Sequence, residues 1–248
     1  MRKKRNLIKL LNQNFLECSN KTIKLGKYDM PYITCNVLPE IDFIATYSQP
    51  STYFYTDSTC VGFFEYDSKF DGLFGLWNAI YYDLKDLKKE YLERFKNVKY
   101  FISPDYSKCG DSLEAENIHR QMRSRIVSVW LTMNTDAVVI PLVSCANENG
   151  MEYMLDGMED CRVVAFNAKG PMGDPIQKEI FVKSIKKTVD ELKKLELIIV
   201  NAASENDDKI LELFKYALEN NIKVHIPDNM LRIRNRLKRG GEINGSNS

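Results

Sequence analysis

Residues 100–111 read Tyr-Phe-Ile-Ser-Pro-Asp-Tyr-Ser-Lys-Cys-Gly-Asp. The apolar run Tyr100-Phe101-Ile102 stops at Ser103-Pro104-Asp105, a polar loop follows, and a helical pattern opens at Ser112. A strand feeding a loop and then a helix is the unit of a parallel sheet. Such sheets keep their ligand sites beyond the carboxyl ends of the strands, where Asp105, Ser107 and Asp111 fall.

The same unit recurs along the chain. Ser112–Met133 is periodic enough for a helix capped by Asp111 or Ser112, and Ala137–Val143 is a continuous apolar strand. Arg162–Phe166 and Leu197–Val200 are further strands, with an amphipathic helix over Pro175–Leu195 between them. Asp207–Asn220 is helical and Ile222–Ile226 closes the series as a strand. Upstream, Val61–Tyr66 is a short strand, and Leu84–Phe95 is a helix. Apolar strands separated by helices predict an α/β protein, a mainly parallel sheet with helices on both faces. An open doubly wound sheet and a partial barrel both satisfy this pattern. Residues 1–30 read as a basic amino-terminal arm, 31–228 as a single α/β domain, and 229–248 as a basic, largely disordered tail.

The net charge of +1 is unevenly spread. Arg2, Lys3, Lys4, Arg5 and Lys9 crowd the first ten residues; Arg232, Arg234, Arg236, Lys238 and Arg239 crowd the last twenty. The body between is acidic, which excludes a broadly basic duplex binder. The ends remain capable of touching phosphate, so a nucleotide or nucleic acid is the expected partner, through the termini and the strand-end pocket. Leu7, Leu10, Leu11 and Phe15 share one face of a possible amphipathic helix. No apolar run is long enough to span a membrane, and none of the six cysteines forms a Cys-x-x-Cys pair. These features predict a cytoplasmic protein without a leader.

If the strands are parallel, their carboxyl ends gather chemistry at one edge. Asp67 and Asp105 are the candidate acid–base pair. Asp after Pro is also a common turn residue, so Asp105 has a structural reading as well. Ser103, Ser107, Ser144, Asn167 and Lys169 are candidate ligand contacts at the same edge. Arg123 and Arg125 stand two apart in an otherwise apolar helix and point to different sides. One of them should be buried with a carboxylate, or hold an anion. Gly170-Pro171-Met172-Gly173-Asp174-Pro175 is a weak phosphate loop, because it has no Gly-Lys-Ser/Thr and its prolines remove donors. Cys145 with His225 is the one thiol–imidazole combination available at the strand ends.

Several of these segments occur in a characteristic order: Ser103-Pro104-Asp105-Tyr106-Ser107, Arg123-x-Arg125 with Trp130, Ile140-Pro141, then Asp156-Gly157 before Val163-Val164-Ala165. In this the chain resembles a family of bacterial and phage proteins catalogued only as a domain of unknown function. The likeness covers roughly residues 60–226. It implies an association with phages and mobile elements and no settled activity. The chain departs from the pattern at Cys145–Asn149, where members carry an aromatic residue and a charged cluster. Three functions follow as expectations: an anion-binding module, a hydrolase using Asp105, or a non-catalytic phage interaction protein.

Overall fold

The computed structural model describes residues 25–170 and 173–245. Seven strands run through it: β1 (Phe43–Thr46), β2 (Thr59–Gly62), β3 (Tyr100–Ile102), β4 (Val138–Ile140), β5 (Val163–Asn167), β6 (Leu197–Asn201) and β7 (Lys223–His225). All pair in parallel and in chain order, β1 to β4 in one ladder and β5 to β7 in another.

Two single bridges join the ladders into a ring. Leu142, just past β4, pairs in parallel with Ala165 of β5, and the Val143 and Ala165 amides donate across that seam at 2.9 and 2.8 Å. Asp228, just past β7, pairs in parallel with Phe43 of β1, and the Ile44 amide donates to its carbonyl at 2.7 Å. Of the two arrangements the sequence allowed, the barrel is the one formed. Closure abolishes the sheet edges that an open arrangement would leave.

Alternation along the strands sorts side chains into two cores. Ile44, Cys60, Ile102, Ile140, Ala165 and Ile199 belong to the smaller cluster, enclosed by the ring. Their strand neighbours Ala45, Val61, Phe101, Val139, Val164 and Val200 face outward into the larger cluster, under the helices. Those helices are α1 (Asp67–Phe70), α2 (Leu76–Tyr81), α3 (Lys85–Arg94), α4 (Glu114–Asn134), α5 (Pro175–Glu191), α6 (Asp207–Leu213), α7 (Lys215–Glu219) and α8 (Met230–Gly245).

Four local expectations are corrected. Helix α4 starts at Glu114 behind Leu113, whose side chain cannot cap, so neither Asp111 nor Ser112 has that role. The single helix expected over Asp207–Asn220 is two, α6 and α7, broken at Phe214. Residues 150–157 contain only a 3₁₀ turn, Asn149–Glu152. The tail is helical over Met230–Gly245 rather than disordered, capped by Asn229, whose Oδ1 accepts from the Leu231 and Arg232 amides at 3.0 and 3.1 Å. Its cations are largely used within the protein: Arg232 pairs with Asp207, Arg236 with Asp228 and Arg239 with Glu205. The basic segment over residues 1–10 and the Leu7–Phe15 stripe lie outside the described residues.

The Asp156-Gly157 pair has a structural account. Asp156 accepts from the backbone amides of Lys27 and Tyr28, at 2.5 and 2.8 Å, and so fixes the incoming chain. Gly157 has φ +74°, and a Cβ there would lie 3.1 Å from the Met30 carbonyl oxygen. Gly157→Ala is expected to destabilise the fold by about 2 kcal/mol, the order of the left-handed penalty for an L side chain. Urea unfolding measures it, and an unchanged midpoint would show that this turn relaxes freely.

Candidate functional site

A cleft of about 890 Å³ opens at the carboxyl ends of β2, β3, β4 and β5. Glu65 and Tyr66 follow β2 in its wall, Asp105 and Lys108 follow β3, Ser144 follows β4, and Asn167 and Lys169 end β5. A second cavity of about 650 Å³ lies at the amino-terminal ends of β1, β6 and β7, among Glu40, Asp42 and Lys223. It is less deeply furnished: the interlocked polar groups are at the carboxyl end.

Asp105 is partly buried at the base of the cleft. The Asn167 amide donates to its Oδ2 at 2.8 Å, and Ser144 also hydrogen-bonds to it. Burial raises its pKa above the ordinary carboxylate value; the Asn167 bond and the nearby Lys108 ammonium oppose that rise. Asn167 is held in turn. Asn201 Nδ2 donates to its Oδ1 at 3.1 Å, and Asn229 Nδ2 donates to Asn201 Oδ1 at 3.3 Å. An amide chain therefore crosses the barrel mouth from β5 past β7 and fixes the Asp105 carboxylate from one side.

Lys108 fixes it from the other. Its ammonium donates to Gln121 Oε1 at 2.6 Å, to the Ser144 carbonyl at 3.0 Å and to Ser144 Oγ at 2.5 Å. Three donors meet three acceptors, so the ammonium has one orientation. Burial pulls its pKa down to about 8; Asp105 works against this and Arg125 with it. Lys169 is half-buried, and burial lowers its pKa too. Among the described residues its ammonium has neither a hydrogen bond nor a salt bridge. Glu65, the acid that attracts it, has its oxygens held by the Ser48 amide and hydroxyl, at 2.9 and 2.6 Å.

The expected site residues separate accordingly. Asp105, Ser107, Ser144, Asn167 and Lys169 share the one cleft. Asp67 does not line it: its carboxylate accepts from the Ser107 amide and hydroxyl, at 3.0 and 2.9 Å, and from Arg120 at 3.1 Å. It anchors the β3–α4 loop to α1, so the Asp67–Asp105 acid–base pair is corrected. Ser103 is buried, and the Ser128 hydroxyl donates to it at 2.8 Å, beneath the cleft rather than in it.

Neither arginine reaches the cleft. Arg123 pairs with Asp71 and lies over the Trp77 and Tyr106 rings, 5.0 and 4.3 Å from their centroids. Arg125 is fully buried and donates to the Met154 carbonyl at 3.0 Å. The expectation that one would be paired and the other exposed is half right: both are buried, and only Arg123 has the carboxylate.

His225 sits at the level of Ile199, with its Nε2 2.5 Å from the Ile41 carbonyl oxygen, so it is no partner for Cys145. The cysteine Sγ contacts the Asn147 carbonyl at 2.9 Å, and burial raises its pKa. Among the described residues no His, Cys, Asp and Glu cluster suits a metal ion, and no helix is long and apolar enough to cross a membrane. Sequence reasoning missed Lys108, Gln121 and Gln177. The only signal for the first two was a polar residue in a buried stripe, Gln121, four residues before Arg125.

Fold and site together define a parallel α/β barrel with a polar, lysine-bearing cleft at its carboxyl end. A family model described as a domain of unknown function, DUF4417, matches residues 24–217, and the chain belongs to that family. Neither a curated protein nor a solved structure matches it.

Proposed function

We propose that the carboxyl-end cleft binds a small anionic ligand, a nucleotide or another phosphate-bearing molecule, anchored by Lys169. The observation that carries this is the half-buried Lys169 ammonium with no protein partner among the described residues. Removing an ammonium from water is costly unless an anion compensates it, and a ligand phosphate supplies that anion. Lys69 adds a second cation on the wall, and Tyr66, 82% exposed there, offers a ring face to a base. The phage and mobile-element association implied by the motif order fits such a ligand. So does a cytoplasmic setting, in which the five described cysteines stay free thiols as found.

Isothermal titration of pyrophosphate, and of a nucleoside triphosphate, tests the reading. Lys169→Met is expected to weaken binding by about tenfold or more, the scale of one charge-assisted contact. Binding of equal strength by the wild type and Lys169→Met would remove Lys169 as the anchor. Absence of binding at millimolar pyrophosphate and nucleotide would remove the anionic ligand altogether.

A second reading makes the cleft a hydrolase in which Asp105 is the acid or base. It is favoured by the raised pKa of that carboxyl and by its fixed orientation against Asn167.

A further inference from the structure

We propose that Ser144 is a nucleophile, held between Asp105 and Lys108, and that the cleft hydrolyses a phosphate ester through a phosphoserine. The substrate class rests on the anionic-ligand reading above; the nucleophile does not.

The argument starts from hydrogen-bond direction. An ammonium only donates, so Ser144 Oγ accepts from Lys108 at 2.5 Å. An ionised carboxylate only accepts, so in the hydrogen bond between Ser144 and Asp105 the serine donates its one proton. A hydroxyl whose proton points at a base and whose oxygen faces a fixed cation is poised to become an alkoxide. The rest of the polar network holds this arrangement. Gln121 and the Ser144 carbonyl saturate the other two donors of Lys108, and Asn167 turns Asp105 toward the serine. Ser144 is partly exposed on the cleft wall, so its oxygen is open to a ligand.

The steps balance. Ser144 Oγ attacks phosphorus, a serine O–P bond forms, and the hydroxyl proton passes to Asp105. The bond from phosphorus to the leaving oxygen breaks, and Asp105 returns the proton to that oxygen as the alcohol leaves. Water then attacks the phosphoserine, giving a proton to Asp105. As the serine O–P bond breaks, that proton goes back to Oγ and inorganic phosphate is released. Lys108 remains protonated throughout and stabilises each developing negative oxygen on the serine.

The test is covalent capture with diisopropyl fluorophosphate on the full chain, read by intact mass and peptide mapping. Oγ–P bond formation with loss of fluoride is expected at Ser144 and nowhere else. Asp105→Asn is expected to slow capture by about 100-fold, the lower range for loss of a general base. Lys108→Met is expected to slow it comparably, with circular dichroism showing that both variants fold. Mapping on the unmodified chain decides the site even if a variant fails to fold. An adduct at Cys145 or another residue, or no adduct on the folded protein between pH 6 and 10, overturns the proposal. Pyrophosphate separates the two readings. If it binds and no adduct forms, the nucleophile falls and the anionic ligand stands. If Ser144 is captured and pyrophosphate neither binds nor protects it, the nucleophile stands and the phosphate ester falls.

Discussion

Arg123→Ala is expected to cost about 3–5 kcal/mol of stability, the range for stranding one partner of a buried ion pair. The guanidinium and the Asp71 carboxylate are both mostly shielded, with side chains 14% and 13% exposed. Burial lowers the Arg123 pKa to about 10, which shows how poorly water reaches the cation. Its Nε finds no acceptor, so the compensation comes from Asp71 and from the faces of Trp77 and Tyr106. Deleting the side chain leaves Asp71 as an unpaired carboxylate among aromatic rings. Arg123→Lys keeps the charge but loses the planar stacking, and should fall between the wild type and alanine. The double variant Arg123→Ala, Asp71→Ala removes both charges, and should be more stable than the sum of its singles implies. Urea unfolding of the four proteins gives the coupling directly. A cost under about 1 kcal/mol for Arg123→Ala would mean that the pair is solvated in solution, as surface pairs are.

This ion pair matters because of where it lies. Asp71 follows α1, Arg123 belongs to α4, and Tyr106 belongs to the loop that carries Asp105 and Lys108. Asp67 holds the same loop through Ser107 and Arg120. Two ionic contacts from one short helix therefore set the loop that furnishes the cleft. In the sequence these charges looked like candidate ligands. They are better understood as the supports of a site that neither enters.

What the sequence disclosed follows from periodicity. The runs at residues 100–102, 138–140, 163–167 and 197–201 are apolar on both faces, because one face fills the barrel and the other lies under helices. That double burial makes a parallel strand legible. Closure of the ring was not legible, because it depends on Leu142 and Asp228, two residues just beyond the strands they extend, each contributing one bridge. Helix α8 was hidden for a different reason. Pro227 and Asn229 read as a turn, and Gly240-Gly241 as a break. The order there comes from tertiary partners: Arg232 is sunk to 2% exposure, donating to the Ile226 and Pro227 carbonyls at 2.9 and 3.1 Å and pairing with Asp207.

At the cleft, Asp105, Ser144, Asn167 and Lys169 were found because a parallel sheet sends all its strand ends one way. Lys108 was not, although it lies in the stretch that decides the fold. A lysine in a polar loop looks solvated. Its burial is created by Gln121 on α4 and Ser144 after β4, 13 and 36 residues away, and no local pattern announces such partners.

Lys108 also gives the protein a measurable pH signature. Its pKa falls from the ordinary 10.5 to about 8 in the folded chain, with burial as the largest cause. A lysine depressed in this way binds fewer protons folded than unfolded between those two values. Stability therefore rises with pH from about 8 to 10.5, and below pH 8 the full penalty for the buried charge is present. A displacement of this size corresponds to roughly 2–3 kcal/mol. Other groups pull the opposite way: Tyr53, Cys35 and Cys161 have pKa values raised by burial, and each loses stability as it is forced to ionise in alkali. The clean measurement is thus a difference. The stability of the wild type minus that of Lys108→Met should climb by about 2 kcal/mol between pH 7 and pH 10.5, because the methionine chain lacks only this titration. Around the ammonium, Asp105, Arg125 and Cys145 are the groups that act on its charge. Asp105→Asn removes the one that favours the charged form most, and should move the rise to lower pH. A flat difference would show that Lys108 is solvated with an ordinary pKa, and would leave Ser144 without the fixed cation that its activation requires.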